Sequence, residues 1–321
     1  MKIYVKSPAR LHFGLIDMNG GMGRFFGGIG VAIDKPNVIL EVQNSNIFSV
    51  TGEKRELAEV FAKRFLEIYN IKSPVSIDVK QTIPEHEGFG SGTQLALAVS
   101  TALKTLFRLN VTIKELSLAM RRMKRTGVGT VVFEKGGFVL DGGKRYKDGT
   151  IDHESVPPLI FQAPFPEDWR FVVSIPNIKK GLAMSAEKNA FKSISIMSSD
   201  VVGKICWLTM MKLLPSLLDC DIVNFGDALT QIQRVVGNYF ADIQGGTFSS
   251  LVSKKIIDFM SDNGASGVGQ SSWGPAIYGL VKDKLQAATL QSNVESFLQD
   301  NGGGRVFIAK ANNQGAIIKQ V

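Results

Sequence analysis

Apolar positions along the chain follow two periods. Leu95, Ala98, Val99, Ala102, Leu103 and Leu106 recur at i, i+3, i+4 spacing and predict a helix from near Thr93 to Arg108 with one buried face. Ser76 to Gln81 alternates as a strand does and delivers the chain to Pro84 and the turn Gly88-Phe89-Gly90-Ser91-Gly92. The local order is therefore strand, glycine loop, helix. Before it, Lys2 to Ser7, Val38 to Val42 and Ile47 to Val50 read as strands, and Lys54 to Tyr69 as an amphipathic helix. After it, Thr112 with Glu115 forms a capping box that opens a helix to about Lys124. Two further glycine turns, Gly127 to Gly129 and Gly136 to Gly143, surround short apolar strands, and the three glycine clusters of this half are expected to converge.

Pro157, Pro158, Pro164 and Pro166 mark a linker between Thr150 and Asp168, so two domains are expected, 1–160 and 161–321. The second opens on a strand from Trp169 to Ile175, continuing through Asn177 to Lys180. Core helices follow at Val201 to Leu218 and Ile222 to Phe240, then a helix from Leu251 to Asn263, a glycine loop from Gly264 to Pro275 and a strand from Ala276 to Val281. Helix Lys284 to Leu298 and strand Arg305 to Lys310 close the chain. Strands separated by helices without a fixed repeat give an α+β or α/β class for each half.

The 321 residues are 44% apolar, enough for a sizeable core. No apolar run approaches the roughly 18 to 20 residues of a membrane span, and Met1 to Val5 reads as a strand and not as a signal peptide, so a cytoplasmic protein is expected. Cys206 and Cys220, with three histidines in the chain, do not form a metal-ligand cluster and are read as core or surface thiols. The net charge of +8 is spread without an aromatic-interleaved basic stripe, which favours an anionic small substrate over nucleic acid.

Chemistry concentrates on the glycines. A glycine turn before a helix start, where N–H groups are unpaired and the helix dipole is positive, suits phosphate. Ser91, Thr93 and Gln94 stand where they either cap the helix or bind phosphate oxygens or a metal ion. The loop lacks the Gly-Lys-Ser/Thr ending of the common P-loop. Seven glycines between Gly14 and Gly30 crowd Arg10, His12, Asp17, Asn19 and Arg24 into one region, read as a ligand site in preference to a plain hairpin.

Pro8-Ala9-Arg10-Leu11, the Pro84 to Gln94 loop and the late Gly267 to Pro275 loop, in this order, resemble the three motifs of the GHMP small-molecule kinase superfamily. Four stretches carry a closer resemblance: Arg10-Leu11-His12-Phe13-Gly14-Leu15-Ile16-Asp17-Met18-Asn19-Gly20, Gly88 to Gln94, Gly136 to Gly143 and Gly269-Gln270-Ser271-Ser272-Trp273-Gly274-Pro275. They are similar to the archaeal β-ribofuranosylaminobenzene 5′-phosphate synthases. The resemblance implies an α+β two-domain GHMP fold, with a ribosomal S5 domain 2-like first half and a ferredoxin-like second half. It also implies a homodimer and the opening step of methanopterin synthesis. That step joins phosphoribosyl pyrophosphate to 4-aminobenzoate or 4-hydroxybenzoate and releases CO2 and pyrophosphate.

One departure separates synthase from kinase. The aspartate that activates the kinases' substrate hydroxyl falls here on Gly129, and the kinases' second loop serine and Ala-Ala pair fall on Gly92 and Thr93-Gln94. An ATP-dependent kinase and a nonenzymatic binding module remain the alternatives. For the synthase, Asp17 and Arg24 are the candidate catalytic groups, Arg24 as an anion clamp and Asp17 toward the ribose or a metal, with an Asx turn as its structural alternative and Asp141 as the competing carboxylate. Arg10, His12, Asn19, Gly88, Gly90, Ser91, Gly92, Thr93, Gln94, Gln270, Ser271 and Ser272 are the candidate binding residues, and Ser91 or Thr93 is expected near Mg2+. Trp273 is read as core.

Overall fold

A computed structural model of the chain describes residues 1–178 and 195–321. β1 (Lys2–Asp17) and β2 (Arg24–Asn44) form a long antiparallel hairpin, with register shifts between Ser7 and Ala9 and between His12 and Gly14. β1 begins as an alternating strand with Ile3 and Val5 buried, then is buried on both faces from Ser7 to Ala9 and from Leu11 to Leu15. A strand covered on both sides loses its alternation. This is why the sequence reading ended the strand at Ser7. The glycines of Gly27 to Gly30 likewise lie inside β2 and not in a ligand loop: a Cβ on Gly28 would stand 2.8 Å from the Asp141 carboxylate, and one on Gly30 2.5 Å from the Leu11 carbonyl.

The first sheet has nine strands. Its main path runs β13 (Ile317–Gln320), β1, β2, β4 (Val75–Gln81), β3 (Ser49–Gly52), and β5 (Phe138–Asp141), β6 (Lys144–Lys147), β7 (Thr150–Ile151) and β8 (Leu159–Ala163) extend it beside β2. β8 contains the divide expected between 160 and 161 and pairs with β5, and β13 brings the end of the chain back to β1. Helices α1 (Arg55–Ile68), α2 (Ser91–Leu106), α3 (Ile113–Ala119) and α4 (Val128–Glu134) belong to this half. The Thr112–Glu115 capping box forms, but α3 stops at Ala119 because Arg121 and Met123 adopt left-handed backbone. α4 occupies a stretch read as strand; Val128, Val131 and Val132 pack with Ala32 and Val139, so tertiary contact overrides their β-propensity.

The second sheet is antiparallel, in the order β10 (Gly267–Gln270), β11 (Ile277–Val281), β9 (Arg170–Pro176), β12 (Gly304–Lys310). The expected continuation of β9 to Lys180 reaches residues outside the described set. The mixture of sheets and helices makes the fold α+β. Helices Ile222–Tyr239, Leu251–Asp262 and Lys284–Asp300 agree with their periodicity. The segment Ser199–Leu218 is one helical run with a π turn at Thr209–Leu213, and it corrects the reading that no apolar run is long enough to span a membrane. Ile205, Leu208, Leu213, Leu214 and Leu217 are buried, whereas Trp207, Met210, Met211 and Leu218 are exposed. Cys206 is half-buried and Cys220 exposed.

The two halves share one core. Phe13 of β1 meets Phe138 of the first sheet and Phe171 and Tyr278 of the second at centroid distances of 6.3, 6.2 and 5.3 Å. Phe13→Ala should therefore cost about 3–5 kcal/mol in urea unfolding. Tryptophan fluorescence and far-UV circular dichroism should still report a single transition; two separate transitions would show that the halves unfold independently.

Candidate active site

Three distant motifs meet at the middle of β1. The Arg10 N–H donates to the Phe89 carbonyl at 3.2 Å, and the Arg10 guanidinium donates to the Gly88 carbonyl. The His12 N–H donates to Ser271 Oγ at 2.9 Å, the Ser271 hydroxyl donates to the Gly88 carbonyl at 2.7 Å, and the Ser272 N–H reaches the His12 carbonyl at 3.4 Å. Gly88 is required here: its φ is +94°, and a Cβ would stand 2.3 Å from the Ser271 carbonyl oxygen. Gly90, at φ +77°, then opens α2 without a side-chain cap, so Ser91 does not cap the helix. The Ser91 hydroxyl makes no hydrogen bond among the described residues.

Beside this junction lies a cavity of about 150 Å³. Arg10, His12, Gly14 and Leu15 of β1, Arg125 and Thr126, Gln233, Val236 and Phe240, and Gln270, Ser272 and Trp273 are among its lining residues. An apolar cavity of about this volume holds a benzene ring. The bulge in β1 between His12 and Gly14 re-aims the strand along the cavity wall. Trp273 stands edge-on to Phe240 at 5.0 Å, making an aromatic wall from a residue read as core.

Electrostatics divide the cavity. Burial first, and the Arg10 guanidinium second, hold His12 well below the usual imidazole range, so its ring is neutral. Nδ1 accepts the Gly14 N–H at 3.3 Å, which leaves the proton on Nε2, 3.5 Å from the Thr126 hydroxyl. Leu15, Val236, Phe240 and Phe248 line the cavity with apolar surface. One region is thus cationic and another apolar.

The remaining candidates occupy other places. Ser91, Gly92 and Thr93 form the first turn of α2, where Thr93 Oγ1 accepts from Arg122 Nε at 3.1 Å. Gln94 is fully buried, accepting from the Ser7 hydroxyl at 2.7 Å and donating to the Gly129 carbonyl at 2.8 Å, so it braces the loop from beneath. Asp17, Asn19 and Arg24 do not line the cavity. Asp17 Oδ1 accepts the Asn19 and Gly20 N–H groups at 2.6 and 2.9 Å, an Asx turn, while Oδ2 makes no hydrogen bond among the described residues. Two residues beyond Leu15, Asp17 stands about 7 Å past the rim along the strand. Asn19 donates to the Met197 carbonyl at 2.7 Å, and Arg24 to the Gly143 carbonyl at 3.3 Å. The sequence reading missed Gln233, Phe240 and Trp273; the available signal was a glutamine on the buried face of an apolar helix.

Known proteins fit this geometry. Residues 55–134 match the GHMP kinases N terminal domain and residues 213–300 the GHMP kinases C terminal family. The chain is 30% identical over 336 residues to the beta-ribofuranosylphenol 5'-phosphate synthase of Methanothermobacter thermautotrophicus, covering 99% of both chains. It is 32% identical over 324 residues to the enzyme of the same name from Archaeoglobus fulgidus, covering 98% of this chain and 99% of that one. The chain belongs to the beta-ribofuranosylphenol 5'-phosphate synthase family. A homoserine kinase from Cytophaga hutchinsonii has the same fold, with a TM-score of 0.68 at 18% identity, over 99% of this chain and 97% of that one.

Within this synthase family fold, Gly129 has a steric counterpart. A Cβ there would stand 3.1 Å from Thr93 Cγ2, so Thr93 occupies the space toward which a side chain at 129 would point. Among the described residues no three His, Cys, Asp or Glu side chains cluster as metal ligands. Mg2+ carried by phosphates would need few protein oxygens, and the Ser91 hydroxyl, with no hydrogen bond among the described residues, would fit as one of them. Thr93 fits less well, because its oxygen already faces a guanidinium.

Asp141 is completely buried beneath this site. It accepts the Gly127 N–H at 2.8 Å and the Gly143 N–H at 2.9 Å, fixing the turn that carries Thr126. Burial pushes its carboxyl up from 3.8 to about 7 against the backbone hydrogen bonds that oppose the shift. The folded chain therefore binds one more proton than the unfolded chain between these values, and this contribution to stability is lost as pH rises through about 7. Between pH 5 and pH 8 it should remove roughly 2–3 kcal/mol. Urea midpoints at the two pH values check this, with Asp141→Asn expected to flatten the dependence.

Proposed function

We propose that the chain transfers the ribosyl 5-phosphate of phosphoribosyl pyrophosphate to the carboxyl-bearing carbon of a para-substituted benzoate, with release of CO2 and pyrophosphate. The observation that carries this reading is Arg10, which lines the aryl-sized cavity and also packs on the glycine turn at the start of α2. The arene occupies the cavity between β1 and the Phe240–Trp273 wall. Pyrophosphate lies at Gly88 to Thr93. The names of the archaeal relatives specify a ribofuranosylphenol product, which favours 4-hydroxybenzoate over 4-aminobenzoate. Following the family resemblance, we assign the reaction to the opening of methanopterin synthesis in the cytoplasm. We also assign a homodimer, for which the exposed stripe of Trp207, Met210, Met211 and Leu218 is the candidate contact.

The chemistry needs a stabilised leaving group and a positioned arene, not a covalent nucleophile. Arg10 and the α2 amides face the charge that grows on pyrophosphate as the ribosyl carbon becomes oxocarbenium-like. Mg2+, held by Ser91 and the diphosphate, would neutralise part of that charge. The cavity aligns the ring carbon with the ribosyl carbon, and the para substituent supplies electron density for the attack. Loss of CO2 returns the C–C bonding pair to the ring and restores aromaticity. Leu15, Val236 and Phe240 exclude water from the carboxylate and so favour its loss. His12 Nε2–H offers a donor to an arene oxygen. Asp17, with Oδ2 to spare, and Arg24 are retained as groups reaching the ribose and its phosphate from the hairpin end.

Incubation with phosphoribosyl pyrophosphate, Mg2+ and carboxyl-labelled 4-hydroxybenzoate should release labelled CO2 and pyrophosphate in equal amounts. ATP-dependent phosphorylation of an added alcohol, without CO2, would favour the kinase alternative. Asp17→Asn keeps an oxygen for the Asx turn while removing the charge, so the melting temperature should hold. A fall in kcat would then report the carboxylate's part in the reaction, and unchanged kcat across several Mg2+ concentrations would confine Asp17 to the turn.

A further inference from the structure

We propose that Arg122, beside Gly92 at the start of α2, binds the pyrophosphate of the ribosyl donor. The inference rests on the reaction proposed above. Left-handed backbone at Arg121 and Met123, with φ of +53° and +56°, turns the chain after α3. The Arg122 N–H is pinned to the Ser117 carbonyl at 2.7 Å. The side chain then runs back to the start of α2. There Nε donates to Thr93 Oγ1 at 3.1 Å, and Nη2 lies 3.4 Å from where a Cβ on Gly92 would stand.

This arrangement is unfavourable in isolation. Burial lowers the Arg122 pKa, and among the described residues no carboxylate opposes that shift. Neither Nη1 nor Nη2 has a hydrogen-bond partner among the described residues. The same turn is the positive end of a 16-residue helix without a side-chain cap, and the Thr93 and Gln94 N–H groups turn to the Gly90 carbonyl. The first helical N–H groups, at Ser91 and Gly92, need an outside acceptor. A guanidinium against the positive end of a helix repels it, unless an anion lies between them.

The anion's class follows from the donors. A planar guanidinium fork and adjacent amides match phosphate oxygens, and two cations, Arg10 over Gly90 and Arg122 beside Gly92, flank one turn. The benzoate carboxylate is the other anion in the reaction. Ser91, Gly92, Thr93 and Arg122 are outside the cavity lining, so the benzoate does not account for them. A Cβ at 92 would stand in ordinary contact with Nη2, so Gly92 lies directly beside the guanidinium.

Titration calorimetry of the full chain with inorganic pyrophosphate and, separately, with 4-hydroxybenzoate tests the assignment. Arg122→Gln should weaken pyrophosphate about tenfold or more, the scale of a lost charged hydrogen bond, and raise the donor KM similarly, with arene affinity unchanged. Arg122→Lys should recover part of the loss. Gly92→Leu, at a position with ordinary φ, fills the space beside Nη2 and gives an independent arm if Arg122→Gln fails to fold; it should also weaken pyrophosphate and spare the arene. Wild-type pyrophosphate affinity in either folded variant, or equal loss for both ligands, would overturn the proposal. Absence of labelled CO2 from the wild type would overturn the reaction, whereas selective loss of pyrophosphate binding would still support the anion assignment for Arg122.

Discussion

The Ser271 hydroxyl holds the site together. It accepts from the His12 backbone and donates to the Gly88 carbonyl, so one buried atom joins β1, the loop before α2 and the loop after β10. Each hydrogen bond is worth only about 1 kcal/mol net, but an unpaired buried partner would cost more than that. The consequence is geometric as well as energetic. Gly88 has its left-handed conformation and its lack of a side chain because the Ser271 carbonyl is packed where a Cβ would go. The start of α2 is thereby set relative to the second half of the chain.

Arginines gather around that junction. Arg10 and Arg125 line the cavity, and Arg122 lies at the neighbouring turn. The buried carboxylate Asp141 accepts backbone amides, and burial favours its neutral form, while buried Glu87, next to Gly88, meets Arg305 at 2.8 Å. His12 contributes a neutral donor instead of another charge, because burial and Arg10 both disfavour its protonation.

Much of this was legible in the residues, for identifiable reasons. α2 was visible because apolar residues recur at helical spacing, although the helix is buried at every position from Gln94 to Leu103 and not on one face alone, and the Thr112 capping box because two side chains settle it locally. Ser271 and Ser272 were read as binding residues together with Gly88 to Gln94, and the Ser271 hydroxyl reaches the Gly88 carbonyl at 2.7 Å. What escaped the reading depends on contacts between distant segments. Val128 to Phe133 reads as strand until Ala32 and Val139 are placed against it. Gln94 reads as a ligand group until Ser7 and Gly129 take its amide. Trp273 lines a wall only because Phe240, thirty-three residues earlier, ends its helix opposite it.

The departures from the kinase pattern at Gly129 and Gly92 both adjoin the third, at Thr93. A side chain at 129 would meet the Thr93 methyl, and the Thr93 hydroxyl receives the Arg122 guanidinium, which in turn lies against Gly92. Restoring an aspartate at 129 would therefore press on Thr93 and, through it, on the cation at the start of α2. At 92 a Cβ would stand in ordinary contact with that cation, 3.4 Å from Nη2. The kinase base and this arrangement of Thr93 and Arg122 compete for the same few ångströms. In this chain the space goes to a positive charge at the start of α2, which suits the reaction proposed above, whose leaving group carries the charge and whose nucleophile is a ring carbon with no proton to remove.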